Sequence, residues 1–166
     1  MDIKKKYLKK FQNIKKKFKR SLSFGDYFTD RYERAKLEGF GKGSSVYDNV
    51  IIIGNVKVGR NTWIGPNCIL DGSGNLEIGD NCSISAGVQI YTHNSVEKSV
   101  SLGSKKILRK KTVIGNGVYI GPNSIITMGV TIKNRVIIGA LSFVDKNLKT
   151  GEKFINNTNR KNKHRS

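Results

Sequence analysis

Residues 112–144 read TVIGNGVYIGPNSIITMGVTIKNRVIIGALSFV. Ile114, Ile120, Ile126, Ile132, Ile138 and Val144 stand six apart in it. Working outward, Ile78, Ile84 and Ile90 keep the same interval, and so do Val58, Ile64 and Leu70. Val46 and Ile52 carry the series back toward the N-terminus. Gly often follows the aliphatic residue, as in Ile64-Gly65, Ile114-Gly115 and Ile138-Gly139. Four residues after it comes a small or β-branched side chain: Thr62, Cys68, Cys82, Val88, Val118, Ser124, Val130, Val136 or Ser142. A helix repeats near 3.6 residues and a lone strand near 2, so neither produces a six. A fixed short period sustained over this length marks a solenoid.

The six has a simple physical reading. Short strands point one aliphatic and one small side chain inward, and Gly or Asn supplies the backbone freedom of the corner between them. Three such strands close one triangular coil of about eighteen residues. Coils stack at the usual strand separation of about 4.8 Å.

The hexads resemble those of the hexapeptide-repeat acyltransferases, and within them the sugar O-acetyltransferases of bacterial surface-polysaccharide synthesis. The resemblance rests on Ile78-Gly79-Asp80-Asn81-Cys82-Ser83-Ile84-Ser85 ahead of Tyr91-Thr92-His93-Asn94, and on Val118-Tyr119-Ile120-Gly121-Pro122-Asn123 after a loop. It covers roughly residues 31–155. It implies an all-β solenoid, a left-handed parallel β-helix of hexapeptide repeats with an N-terminal helical extension. It also implies a homotrimer, acetyl-CoA as co-substrate, a carbohydrate acceptor and no metal. The handedness departs from the usual right-handed crossover of parallel strands.

Two breaks in the period point to the site. Leu70 and Ile78 are eight apart, with Asp71-Gly72-Ser73-Gly74-Asn75 between them. A longer interruption follows His93, from Asn94 to about Ile107, and Leu108 is taken as the next strand of the coil. Counted that way, Leu70, Ile90, Ile120 and Ile138 share a face, and Asp71, His93, Gly121 and Gly139-Ala140 line one edge. His93 occupies the histidine position of the family motif, and a near-neutral imidazole suits a general base. The expected reaction is direct attack of a hydroxyl on the thioester through a tetrahedral intermediate, without an acyl-enzyme. Asp71 has three readings: it orients His93, it holds an acceptor hydroxyl, or it caps a turn. The resemblance puts Tyr119 and Gly121 beside the thioester, Ala140 beside pantetheine and Lys146 near the phosphorylated end. A backbone N–H at Gly121 or Ala140 is the candidate oxyanion donor. The family's Gly-x-Pro-Ala-basic ending is replaced by Asn156-Asn157-Thr158-Asn159-Arg160, which leaves only the basic residue for the adenine end.

Composition bounds the rest. The chain has 166 residues and a formal net charge of +19. Residues 1–20 carry ten basic side chains and one acidic, and residues 153–166 carry five basic and no acidic ones. The pattern divides the chain into a basic amphipathic helical extension (1–45), a β-helix acyltransferase domain (46–150) with a loop at 94–107, and a basic tail (151–166) whose last residues, from Ile155 onward, read as disordered until bound. Residues 3–22 place Ile3, Tyr7, Phe11, Ile14, Phe18 and Leu22 on one helical face among lysines, the pattern of an element that lies on an anionic membrane surface. Packing within a trimer is the other reading. A second short helix is expected over Asp30–Glu38. No recognition module for nucleic acid is present.

Cys68 and Cys82 sit on inward positions and read as buried free thiols. With no secretory signal and no apolar run of spanning length, a cytoplasmic protein is expected, with peripheral attachment at the inner face of the membrane. A zinc hydratase on the same scaffold needs three histidines, whereas His93 is the single histidine of the body. Two alternatives stay open: N-acetylation of a nucleotide-linked amino sugar, and a non-catalytic scaffold that docks on membranes.

Overall fold

The computed structural model describes residues 2–155. From Ser45 onward the chain winds as a left-handed parallel β-helix of about six turns. Strand register gives the coil length directly: Ile114 pairs with Ile132, Ile120 with Ile138, and Ile126 with Val144. One face stacks Ser45–Val46, Trp63–Ile64, Ser83–Ile84, Tyr119–Ile120, Ile137–Ile138 and Lys153–Phe154. A second stacks Leu70, Ile90, Ile126 and Val144. A third stacks Val58, Ile78, Ile114 and Ile132.

The core is a single column. Ile64, Leu70, Ile84, Ile90, Ile120, Ile126, Ile132, Ile138 and Val144 are all 0% exposed, each removal from water being worth about 1.5–3 kcal/mol. The small inward residues are buried too, and the polar ones among them bind corner carbonyls. Thr62 Oγ1 donates to the Gly79 carbonyl at 2.8 Å, and Ser124 Oγ to that of Gly139 at 2.9 Å. Cys68 and Cys82 are free and buried, as their spacing implied. Several corners use Asn in the left-handed region, among them Asn61, Asn67, Asn81 and Asn123. Gly121 is required for a different reason: a Cβ there would run into the backbone nitrogen of Ala140 in the coil below.

The two breaks in the hexad period are built differently. Ile51–Val58 and Ile69–Ile78 pair along their lengths and carry two faces around one corner as continuous strands, with a register shift between Gly54 and Val56. The extra residues of Ile69–Ile78 form that irregularity. The later interruption is an excursion. His93–Asn94 pairs antiparallel with Leu108–Arg109, with a short helix at Val96–Val100 between them. It departs from one corner and returns to the same corner, so Ile78 pairs next with Ile114.

This corrects the face count. Leu108 is a hairpin residue and takes no part in the coil. Ile120 and Ile138 therefore stack with Ile64 and Ile84, away from Leu70 and Ile90. Gly121, Gly139 and Ala140 lie at the corner where the chain enters the second face. Asp71 and His93 lie at the corner where it leaves.

The N-terminal segment seals the start of the column. Helix α1 (Ile3–Phe18) is capped by the Asp2 carboxylate, which accepts from Lys4 N at 2.9 Å, and ends at Lys19 with φ of 53°. It stops short of the expected residue 22: Leu22 lies outside the helix, its N–H donating to Tyr27 Oη at 2.9 Å. Tyr7 and Phe11 do not face outward. Tyr7 packs on Phe24 and Tyr27 at 5.2 Å between ring centroids, and Phe11 on Tyr27 at 5.8 Å. Ile3, Leu8 and Phe18 stay exposed. Helix α2 (Arg31–Leu37) is capped by Asp30 through the backbone N–H groups of Tyr32 and Glu33. Its Arg34 binds the carbonyls of Tyr47, Asp48 and Val50, while Ala35 and Phe40 join the core. No described helix is long and apolar enough to cross a membrane.

Candidate active site

Asp71 follows Leu70 at a corner, and its carboxylate is fully buried. Every donor it needs is local. Oδ1 accepts from Ser73 N at 3.0 Å, and Oδ2 accepts from Thr92 N at 2.8 Å. His93 Nδ1 lies 2.6 Å from the same Oδ2, with Ser73 Oγ 3.2 Å from the ring nitrogen. Burial by itself would push the Asp71 carboxyl up. The backbone N–H groups of Thr92 and Ser73, the Ser73 hydroxyl and His93 outweigh that and hold it far below the usual carboxylate range. Asp71 is thus an acceptor at neutral pH, so Nδ1 is the nitrogen that carries the proton toward it, and in the neutral ring Nε2 is the one that holds the lone pair.

Of the three readings of Asp71, the contacts that the structure places are those to His93 Nδ1 and to the N–H of Ser73 in the turn. A carboxylate at 0% exposure has no oxygen to offer an acceptor hydroxyl. His93 keeps 36% of its side chain exposed. It opens on a groove of about 370 Å³ lined on its other sides by Tyr91, Asn94, Val96, Thr127, Met128 and Phe143.

The backbone around the histidine is held as firmly as the ring. Thr92 Oγ1 donates to the Asp71 carbonyl at 2.8 Å and accepts from Gly74 N at 2.7 Å. Thr92 O accepts from Lys110 N at 2.9 Å, which fixes the end of the excursion beside the site. Gly74 makes this approach possible, since a Cβ there would meet the Thr92 carbonyl and the Lys110 nitrogen.

The other expected residues are distributed over more than one corner. Gly121 and Ala140 stack on each other in successive coils, with half-exposed Tyr119 on the strand leading in. They flank the second face on the side opposite His93. Lys146 lies at the His93 corner, two coils on, with its ammonium 5.5 Å from the Phe154 ring centroid. Arg160 lies outside the described residues, as does the basic tail from residue 156. Burial pushes the Cys68 thiol up to about 11 and raises that of Cys82, so neither is poised as a nucleophile. Sequence reading missed Ser73 and Thr92, which hold the Asp71–His93 pair. Their position next to the two residues it named was the available signal.

Comparison with known proteins agrees with this architecture. Residues 111–146 match the family described as bacterial transferase hexapeptide (six repeats), and residues 50–92 match the hexapeptide repeat of succinyl-transferase. The galactoside O-acetyltransferase of Escherichia coli is 32% identical over 99 residues, which is 57% of this chain and 46% of that protein. The bifunctional protein GlmU of Pseudoalteromonas atlantica is 28% identical, over 74% of this chain and 39% of its own length. The chain thus spans less than half the length of these two relatives. Among solved structures, a maltose O-acetyltransferase from Clostridium difficile superimposes with a TM-score of 0.56 at 27% identity, over 93% of this chain and 83% of that one. A variant of AntD, an N-acyltransferase from Bacillus cereus in complex with dTDP and coenzyme A, superimposes with a TM-score of 0.64 at 24% identity, over 70% of this chain and 67% of that one.

Proposed function

We propose that this member of the bacterial hexapeptide-repeat transferases moves an acetyl group from acetyl-CoA to a sugar hydroxyl, with His93 as general base. The observation that carries the reading is the His93–Asp71 pair at 2.6 Å, buried on the aspartate side and open to a groove on the histidine side. Acetyl-CoA supplies the activated acyl carbon. Nε2 of His93 removes the hydroxyl proton as the oxygen attacks, and Asp71 stabilises the imidazolium that results. The same imidazolium returns the proton to the departing thiolate. With both cysteines buried, direct transfer is favoured over a covalent enzyme intermediate. The relatives that support an oxygen acceptor are the galactoside and maltose enzymes. Likeness to AntD is at the level of the fold.

The donor's arm fits the entry corner of the second face, where Gly121 and Ala140 leave the backbone bare of bulky side chains and Tyr119 stands beside it. Gly121 and Ala140 flank the opposite side of that face from His93, so a threefold assembly, which would set one protomer's His93 edge against the next protomer's Gly121–Ala140 edge, completes the site. Lys146 serves the phosphorylated end. The basic α1 attaches the assembly to an anionic membrane face in the cytoplasm, where surface polysaccharide is built, and charge carries that attachment because Tyr7 and Phe11 are packed internally.

The test is acetyl-CoA consumption with a panel of sugars. His93→Ala is expected to lower kcat/KM by about 10²–10⁴, the worth of a positioned base, with acetyl-CoA binding retained. Near-normal turnover by His93→Ala would end the general-base assignment.

A further inference from the structure

The excursion at the His93 corner is chemically unlike the rest of the body. Residues 94–111 hold six basic side chains, Lys98, Lys105, Lys106, Arg109, Lys110 and Lys111, against the single acid Glu97. The remainder of 21–152 holds ten basic and ten acidic side chains. Outside the terminal arms, the net charge of the protein therefore resides in this one segment. Two of its cations are engaged: Lys105 with Glu97 at 2.5 Å, and Lys111 with Glu77 at 2.7 Å. Among the described residues, Lys98, Lys106 and Arg109 have no carboxylate partner. All three are exposed, and they line a common hollow of about 360 Å³.

Arg109 is placed most tellingly. It is the direct cross-strand partner of His93. Directly opposed residues of an antiparallel pair put their side chains on one face, with Cβ atoms about 5 Å apart. Arg109 is also held in place, with its Cβ against Gly74 and the next residue's N–H on the Thr92 carbonyl.

We infer that this segment recognises a phosphate on the acceptor: the sugar is presented as a glycosyl phosphate or diphosphate, with Arg109 gripping the phosphate beside His93 and Lys98 and Lys106 completing the anion site. The inference rests on the acetyl-transfer reading. It assigns the cations to the acceptor because the base must touch the acceptor hydroxyl, whereas the donor's phosphates lie at the far end of the pantetheine arm. A planar guanidinium meets phosphate oxygens in pairs, which makes Arg109 the dominant contact and the lysines auxiliary point charges.

The full-length protein is assayed with matched acceptors built on glucose, galactose and N-acetylglucosamine. Each is supplied as the free sugar, the 1-phosphate, the uridine diphosphate ester and a polyprenyl diphosphate ester in detergent. The phosphorylated forms are expected to exceed the free sugar in kcat/KM. In Arg109→Ala that ratio falls by about 10- to 100-fold, the worth of a charge-assisted bidentate contact. Arg109→Lys retains part of it. The KM for acetyl-CoA is unchanged in both. Preference between the last two forms identifies a soluble or a lipid-linked source. Turnover of free sugars that depends on His93 but shows no phosphate preference overturns this inference and leaves acetyl transfer standing. A raised KM for acetyl-CoA in Arg109→Ala, with the acceptor ratio intact, also overturns it, by assigning the cations to the donor. If no acceptor is acetylated, the transfer reading fails and ligand-observed NMR decides the phosphate site. Saturable binding of glucose 1-phosphate over glucose, lost in Arg109→Ala, supports the site, and equal or absent binding refutes it.

Discussion

Replacing Asp71 by Asn is the sharpest probe of the site, because the change is nearly isosteric and every partner is known. The carboxylate accepts on both oxygens: Ser73 N on one, and Thr92 N and His93 Nδ1 on the other. An amide must turn its NH₂ toward one of these sets of donors. The cheaper choice keeps the oxygen on the Thr92–His93 side and opposes NH₂ to the Ser73 N–H. One buried clash of donors then costs about 1–3 kcal/mol of stability. His93 keeps its Nδ1–H bond but loses the charge that supported its imidazolium. The difference between a charged and a neutral hydrogen-bond partner is about 1–1.5 kcal/mol, or roughly tenfold in rate. Asp71→Asn should therefore lower kcat/KM by about tenfold, less than His93→Ala, and lower the melting temperature as well. The pH dependence of stability has a defined sign. A carboxyl held below its unfolded value of about 3.9 contributes stability in full above that pH and loses it as pH falls toward the folded value. Wild type should thus weaken progressively below about pH 4, and Asp71→Asn should do so less steeply. Thermal melts from pH 2 to 7, with acetyl-CoA consumption at neutral pH, read both effects. Wild-type turnover and an unchanged acid profile in the variant would refute the account of the pair.

Other expectations are independent of that pair. Gly121→Ala should cost about 1–3 kcal/mol because its Cβ meets the Ala140 nitrogen, whereas Gly139→Ala, whose Cβ would sit an ordinary 3.5 Å from Ile155, should be near neutral; thermal melts of the two variants compare them directly. Cys68 and Cys82 should resist a thiol reagent at pH 8 until the protein unfolds, and rapid labelling of the native state would contradict their burial. Deleting residues 1–22 should abolish salt-sensitive binding to anionic liposomes, to which each nearby Lys contributes up to about 1 kcal/mol, and neutral liposomes should bind neither form; equal binding by the truncated chain would move the attachment elsewhere. Sedimentation should give three times the chain mass of 18.5 kDa, and a monomer at micromolar concentration would count against a shared site.

The fold was legible because each inward residue repeats the same local requirement. A corner needs Gly, Asn or a small side chain, and a dry column needs Ile or Val, so the pattern is written at short range. His93 stood out in the sequence at the histidine position of the family motif, beside a break in the period. The stacking of faces was not legible. Leu108 falls on a hexad phase, but only the antiparallel pairing of His93 with Arg109 reveals that it belongs to a hairpin. The count through Leu108 consequently moved Gly121 and Ala140 to the wrong corner. Asp71 remained ambiguous because its role depends on Thr92, a whole coil away in sequence and in contact only once the coils stack. What covers the apolar stripe of α1 was not legible, because amphipathicity does not name the partner: Tyr27 packs on Tyr7 and Phe11, while Ile3 and Phe18 stay exposed.

The excursion between Asn94 and Lys111 starts and finishes at one corner, so the winding above and below it never registers its length. A segment attached in this way can be lengthened, shortened or exchanged without retuning any layer of isoleucine, whereas one residue added inside a hexad would turn the rest of the column out of phase. The scaffold therefore separates two kinds of change. A change in the column is felt by every later layer, while a change in the excursion stays local to it. If the segment meets the acceptor as proposed, grafting foreign loops between residues 95 and 107, outside the pairing of His93–Asn94 with Leu108–Arg109, is accordingly a route to new acceptor preferences.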